Sequence, residues 1–532
     1  MALSQNDALN MSGSKSHTTT DVRPGIWSHP PGLYVLFLTE MWERFSFYGM
    51  RALLVFYLTK HFLFSDQTSL GIYGAYVALG YATPVIGGLL ADRYLGQRLA
   101  VTIGAVLMCL GHLGMAFEGA ATQSVTSADG TVAILRDEPA LQIFYFSLAL
   151  LIVGIGFLKP NIATIVSQLY SADDPRRASG YTLFQMGIML GAALSAGVCG
   201  YLGERYGWSY GFGAAGIGML IGLVIFLLGG KSFAGVGEPP SREALFQRVS
   251  GPLTPVHLLT IGTVLSVILF WLLLQKTDWV GYLLAVFSAV VVGVILWIAC
   301  SRGDVIERDR MLVLIVLQFG LTAFATLFEQ AGGALNLFAD RHVDRWVAGG
   351  EIQASQLQSV VPMTIVLFAP FFAWLWPALA AAGRNPRTPT KYALTLLLMG
   401  AGFGILAATT HWTSSGGKVS LIGLIAAYLL FGIADLIIVS VCYTTITLLS
   451  IPRIVGMMMG TSMLAISAAN FLASRIAIAA GPSGRPAASL SPAESLAAYE
   501  FLFILLASSA CVMAVGFLIA SPMLSRRMHG IH

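Results

Sequence analysis

Apolar stretches of about 20 residues, the length a helix needs to cross a hydrocarbon core, recur roughly fourteen times along this chain. Six lie before residue 230, at about 32–58, 69–91, 99–118, 141–168, 178–203 and 209–229. A polar, Pro-containing linker follows, from Gly230 to Gly251, and then two more stretches at about 254–275 and 278–300. Six others run at about 309–339, 356–382, 390–410, 418–449, 454–480 and 496–522. Only 11% of the 532 residues are charged. A soluble domain carries about 25%, so a water-facing surface cannot be built from this chain and lipid must cover most of the outside. The expected class is an all-α polytopic membrane protein.

The net charge of +4 is too small to argue for nucleic acid, and the basic residues sit in short loops rather than one patch. With the N-terminus inside, loops holding Arg93, Arg98, Arg176, Arg177, Lys231, Arg242, Arg248, Arg302, Arg308, Arg310, Arg384, Arg387, Lys391, Arg453, Arg526 and Arg527 fall on the cytoplasmic side. Roughly 18 basic residues then lie inside against about 8 outside, which puts both termini in the cytoplasm of a cell-membrane protein. Residues 1–31 are polar and lack the apolar core of a signal peptide, so they read as a cytoplasmic tail. Cys109, Cys199, Cys300, Cys442 and Cys511 fall inside apolar runs with no CxxC pair. They read as small buried hydrophobes, with no disulfide framework, metal site or cofactor.

The layout is six, two, six: a bundle over 32–229, a linker with two additional helices over 230–308, a second bundle over 309–522 and a short tail, 523–532. Two six-helix halves with the substrate site between them near the midplane describe the major facilitator fold. The run Gly87-Gly88-Leu89-Leu90-Ala91-Asp92-Arg93-Tyr94-Leu95-Gly96-Gln97-Arg98 resembles that superfamily's loop signature, a tight Gly turn with an acid and a base at a helix end. The matching loop of the second half, Gly383 to Lys391, keeps basic charge but not the motif.

Ionisable groups inside the spans carry the functional information, because each costs several kcal/mol unless paired or facing water. The first span holds Glu40, Glu43, Arg44 and Arg51, whose offsets of three, four and eleven put them on one helical face with Phe47 and Tyr48. They are expected to turn toward water between two bundles. A purely structural ion-pair network is the alternative. The fourth span offers Lys159 before Pro160-Asn161, the ninth Glu329, Gln330 and Asn336, and the twelfth Asp435. Lys159 could instead snorkel to the interface, and Asp435 could serve a helix end. Arg475 reads as interfacial. The first half thus supplies bases along with acids, and the second supplies acids alone. That suits a small zwitterion, its carboxylate toward the first half and its amine toward the second.

Glu40-Met41-Trp42-Glu43-Arg44-Phe45-Ser46-Phe47-Tyr48-Gly49 is similar to the ExxERFxYYG signature of proton-coupled oligopeptide transporters, the POT or PTR family. Arg51, Tyr81 to Pro84, Lys159-Pro160-Asn161, Phe328-Glu329-Gln330 and Met457-Met458-Met459 fit in the same order, over roughly 32–522. Two extra helices between the halves are typical of bacterial members. The resemblance implies proton coupling through Glu40, Glu43, Arg44 and Lys159, and an Arg51–Glu329 pair closing the outer side. It implies peptide contacts from Arg44, Lys159, Tyr48 and Tyr81, with Asp435 where a glutamate usually receives the peptide amine. Gln330 and Asn336 join the expected substrate contacts. Departures stand at Gln185 and Met189, where tyrosine and asparagine are usual, at Val361 for asparagine, and at Ser462 for a frequent tryptophan.

The expected function is symport of protons with di- or tripeptides by alternating access, by a monomer in the lipid bilayer. The alternative is another small substrate on the same fold, such as nitrate, another anion or a peptide-like drug. There is no HExxH and no GxSxG with a plausible loop site, so a membrane enzyme is not expected. The loops 120–139 and 340–355 read as solvated connectors.

Overall fold

The computed structural model describes residues 28–126, 132–171, 173–241, 245, 247, 254–301, 304–413, 417–451, 454–480 and 491–531. Most of the predicted N-terminal tail, much of the linker after Ser241, and Arg242, Arg248, Arg302 and Arg453 lie outside them. Among the described residues, thirteen helices are long and apolar enough to cross a membrane. One more, α1 (Pro31–Phe56), has the length at 26 residues but carries the four charges of the stripe. The first half continues with α2 (Asp66–Leu95), α3 (Gln97–Met115), α4 (Glu138–Gln168), α5 (Arg177–Tyr206) and α6 (Trp208–Phe233). The additional pair is α7 (Pro255–Leu274) and α8 (Thr277–Ser301). The second half holds α9 (Val305–His342), α10 (Ala354–Ala381), α11 (Thr388–His411), α12 (Leu421–Leu449), α13 (Val455–Ala480) and α14 (Pro492–Arg527).

Local chemistry sets these boundaries. Ser65, Asp137, Thr254, Asp304, Ser420 and Ser491 each cap a helix start with a side-chain oxygen. The Gly-rich loop between α2 and α3 works as its sequence suggests. Gly96 turns the chain at φ +69, a conformation that favours glycine. Gly87 lets α2 touch α4, since a Cβ there would sit 1.9 Å from the Gly156 carbonyl oxygen. The acid of the motif, Asp92, accepts from Gln97 at 2.7 Å, and the base, Arg98, pairs with Glu238 of the linker at 3.3 Å.

The halves meet along two matched seams. The second helix of the first half, α2, packs on the fifth of the second, α13; and the fifth of the first half, α5, packs on the second of the second, α10. This exchange of second and fifth helices is what a pseudo-twofold between two equivalent bundles produces. The additional helices sit outside the seams. α7 leans on α4, and α8 touches α2, α9 and α13, with most of their apolar surface exposed. Arg475 pairs with Asp278 of α8 and lies over Phe471, so it ties α13 to the additional pair.

One predicted span is broken. The segment 309–339 was expected as a continuous helix, but α9 gives way at Glu329–Gly332 to a single tighter turn and resumes at Ala334–His342. Gly332 and Gly333 explain the break, because glycine weakens a helix interior and Gly333 leaves helical geometry at φ -111, ψ -96.

Candidate functional site

The charged stripe of α1 splits into two ion-pair groups. Lower on the helix, Arg44 pairs with Glu40 at 3.0 Å and with Glu43. One helical stretch further on, Arg51 pairs with Glu329, at the break in α9. The Arg51 Nε–H also donates to the Tyr73 hydroxyl at 2.6 Å, and the guanidinium lies over the Tyr48 and Tyr73 rings. The first group is contained in one half, whereas the second joins the two halves.

The expectation that this stripe turns to water needs correction. Glu43 is 0% exposed, and Glu40, Arg44, Arg51 and Glu329 are buried too. Arg44 has two carboxylates to answer and Arg51 has one, so the charges satisfy each other rather than solvent. The half-buried groups are Tyr48, Tyr81, Lys159 and Asp435. Lys159 places its Nζ 3.8 Å from the Tyr81 ring centroid, and it forms no ion pair among the described residues. Asp435 has neither an ion pair nor a hydrogen bond among the described residues. The two unpaired charges of opposite sign therefore come one from each half.

Lys159 is held by the residues that follow it. Pro160 removes a backbone donor inside α4, and the Asn161 side chain donates to Phe157 O at 2.7 Å and to Gly87 O of α2 at 3.4 Å. This fixes the Lys159 turn against α2, which carries Tyr81.

Gln330 and Asn336, expected to touch substrate, are spent elsewhere. Gln330 donates to Ala473 O at 3.0 Å, Asn336 donates to Ala52 O of α1 at 3.1 Å, and both are buried. They belong to the closure around the Arg51–Glu329 pair.

That closure is larger than the sequence suggested. At the end of the molecule where α1 finishes, Arg341 makes a two-pronged pair with Asp66, at 2.6 and 2.7 Å. Lys60 reaches Asp340 at 2.8 Å, and Glu204 accepts from Ser355 at 2.5 and 3.0 Å. Ser474 donates to Leu70 O, and Ser467 to Ala78 O at 2.6 Å. Residues 340–355, expected as a solvated connector, form part of this lid: Arg345 is buried and pairs with Asp340 and Glu351. The 120–139 loop is also more ordered than expected. Strands Gln123–Thr126 and Val132–Leu135 pair in it, and Arg136 donates to Phe62 O at 2.6 Å. Asp137 accepts from the Ala120 and Ala140 N–H groups, which hold its carboxyl below the usual range. Asp66, Arg341 and Glu204 were missed because they lie at loop edges, where charges are ordinary. Tyr73, one turn from Tyr76 on α2, had no signal apart from its type.

Two matched six-helix halves, charged within the membrane and bolted together at one end, define a transporter of the major facilitator fold. The chain belongs to the POT family: that family's model, PTR2, matches residues 98–480. The peptide transporter YePEPT of Yersinia enterocolitica is 32% identical over 482 residues, which cover 86% of this chain and 90% of that protein. An uncharacterized transporter of Bacillus subtilis, YclF, is 34% identical over 77% of this chain and 80% of its own length. Among solved structures, a mutant of peptide transporter POT in complex with alafosfalin aligns with a TM-score of 0.77 at 30% identity, covering 95% of this chain and 97% of that one. A POT family transporter in complex with a thioalcohol conjugated peptide aligns with a TM-score of 0.77 at 26% identity, covering 94% and 98%.

Proposed function

We propose that this chain is a symporter that takes up di- and tripeptides with protons, by alternating access, as a monomer in the cell membrane with both termini cytoplasmic. The observation that carries the reading is the unpaired charge on each side: Lys159 from the first half and Asp435 from the second. A free cation and a free anion in two facing bundles suit a ligand that brings both complements, a carboxylate and an amine. A nitrate ion would answer Lys159 and leave Asp435 opposed.

In this reading the end where α1 finishes is the outer end, and the molecule is closed there. Tyr48 and Tyr81 flank the peptide, Arg44 and Lys159 take its carboxylate, and Asp435 takes its amine. Gln330 and Asn336 act through the closure. Protonation of Glu329 removes the charge that Arg51 answers, so the outer side is released when a proton arrives. Protonation within the Glu40–Glu43–Arg44 group frees Arg44 for the substrate carboxylate. A coupling of about 1.4 kcal/mol between proton and peptide changes an affinity tenfold, so modest differences suffice. The kinship with YePEPT and the peptide-bound relatives supports the substrate class.

The test is uptake of labelled dialanine into proteoliposomes, with and without an imposed inward proton gradient. Accumulation that requires the gradient, and competition by unlabelled dipeptide but not by nitrate, is expected. Uptake indifferent to the gradient, or blocked by nitrate, overturns the proposal.

A further inference from the structure

α10 leaves the bundle in its second half. Val361, Thr364 and Ile365 are buried, but no residue from 366 to 387 is. Although a short loop joins α10 to α11, α10 packs on α5 and α12, and α11 packs on α14 and α12. Near the loop the pair is bridged by Lys391, whose Nζ lies 4.6 Å from the Trp376 ring centroid. Residues three to four apart share a helical face. From that contact the two faces therefore continue as Phe372 on α10 and as Leu394 and Leu398 on α11. The Phe372 and Trp376 rings are 5.8 Å apart, Leu394 is 40% exposed and Leu398 is half-buried. The faces form an apolar groove that the bundle leaves uncovered. Its mouth is basic. Arg384 and Arg387 in the loop are exposed, Lys391 is half-buried, and none of the three has an ion pair among the described residues. Thr390 and Ser521 meet at 3.0 Å, which sets the end of α14 beside this mouth and adds Arg526 and Arg527, both exposed. Bases at the same end of the first half are answered within the protein, Arg98 by Glu238 at 3.3 Å and Arg176 by Asp174 at 2.9 Å. This end lies opposite the closure, because α14 starts where Ser495 meets His342 at 2.8 Å and runs away from it.

A tryptophan beside a lysine near a span end marks the headgroup level of a bilayer. The counter-charge for this mouth must come from outside the chain. A soluble anion would answer the cations and leave the apolar walls bare. A second copy related by a twofold would set the same positive patch against itself. A phospholipid with an anionic headgroup supplies the charge and the apolar chains together. We infer that the foot of the α10–α11 pair is a binding site for an anionic phospholipid, its phosphate held by Arg384, Arg387 and Lys391 and an acyl chain lying between Phe372 and Leu394. On the proposed topology this is a lipid of the cytoplasmic leaflet. The leaflet rests on that reading; the binding does not.

The test is native mass spectrometry of the full chain in neutral detergent, titrated with phosphatidylglycerol or with phosphatidylcholine. It needs neither uptake nor proton coupling, so a failure here and a failure of the functional reading are told apart. Wild type is expected to retain phosphatidylglycerol at least about fivefold better than phosphatidylcholine. Arg384→Gln and Arg387→Gln should each weaken phosphatidylglycerol binding roughly fivefold, and the double variant about 25-fold, with phosphatidylcholine binding unchanged. Both arginines are exposed, so the variants are expected to fold, which thermal unfolding checks. Arg205→Gln, at an exposed base of α5 near the closed end, should stay within about twofold of wild type. Glycerol phosphate, the headgroup without its chains, should displace no lipid at equal concentration. Equal retention of the two lipids by wild type overturns the inference. So do losses in Arg205→Gln that match those in Arg387→Gln, which mark general attraction to a basic protein. Displacement by glycerol phosphate reduces the mouth to a plain anion site, and a dimer in place of the lipid adduct makes it an interface between copies; either result also overturns the inference.

Discussion

Two buried ion-pair groups, each built on an arginine of α1, differ most in where the partner sits. Arg44 answers Glu40 and Glu43 within its own half, whereas Arg51 answers Glu329 across the seam. A pair contained in one rigid body keeps its energy whichever way the halves rock. A pair that bridges two bodies exists only while they are closed together, so its charge state and the conformation are linked. Burial alone does not make a switch; the partner must sit on the other moving part. The rest of the closure repeats the lesson, since Arg341–Asp66, Lys60–Asp340 and Glu204–Ser355 also cross between halves at that end.

The sharpest way to break this comparison is to delete each arginine. Removing one partner of a buried pair costs about 3–5 kcal/mol, because the other charge is left unanswered. Arg44→Ala is expected to cost that in every conformation, seen as a large fall in thermal stability in detergent. Arg51→Ala can shed the cost by opening, since Glu329 then reaches water. It is expected to lose less stability, to become labelled at an engineered cysteine just inside the closure, and to lose driven uptake more than tenfold. Equal stability losses with no change in labelling would erase the distinction.

Neutralising the acids sharpens it. Glu329→Gln mimics a permanent proton on the bridging pair and is expected to favour the outward-open form, with labelling raised several-fold. Glu43→Gln leaves labelling near wild type but removes proton-driven accumulation while exchange persists. Driven accumulation that survives Glu43→Gln unchanged would remove Glu43 from the coupling assignment.

These roles were unevenly legible in the sequence. Fourteen spans, the six-two-six order and the α1 stripe follow from length and periodicity, because lipid tolerates few alternatives. The Arg51–Glu329 partnership came from resemblance, since nothing in either segment alone specifies a contact 278 residues apart. The inward burial of Glu43 escaped the reading, because helical offsets say which residues share a face and not what the face meets. Asp66, Arg341 and Glu204 were illegible for a different reason: a charge at a span end is satisfied by water as easily as by a partner, and only the packing of the halves selects the partner.

The unpaired charges contrast with the paired ones. Asp435 has no partner among the described residues, so removing it leaves no stranded charge, and Asp435→Ala is expected to leave stability within about 0.5 kcal/mol. Its cost falls on the ligand. Dialanine affinity should drop about tenfold, near 1.4 kcal/mol for one lost charged contact, while a dipeptide with a blocked amine binds wild type and variant alike. Equal losses for both ligands would take Asp435 out of amine recognition.

The smallest effect tests whether the more exposed pairs of the closure are bolts or ornaments. Asp66 and Arg341 keep about a fifth to a quarter of their side-chain surface exposed, 21% and 26%. A pair open to solvent contributes about 1 kcal/mol or less and is screened by salt, unlike the enclosed Arg51–Glu329 pair. Asp66→Asn is therefore expected to raise labelling inside the closure by no more than about fivefold at low salt, and the difference from wild type should shrink as salt rises, because ions compete for a pair that solvent reaches. Labelling in Glu329→Gln should ignore the same change in salt. A salt-independent Asp66→Asn effect as large as that of Glu329→Gln would mean that the lid, and not the buried pair, holds that end shut.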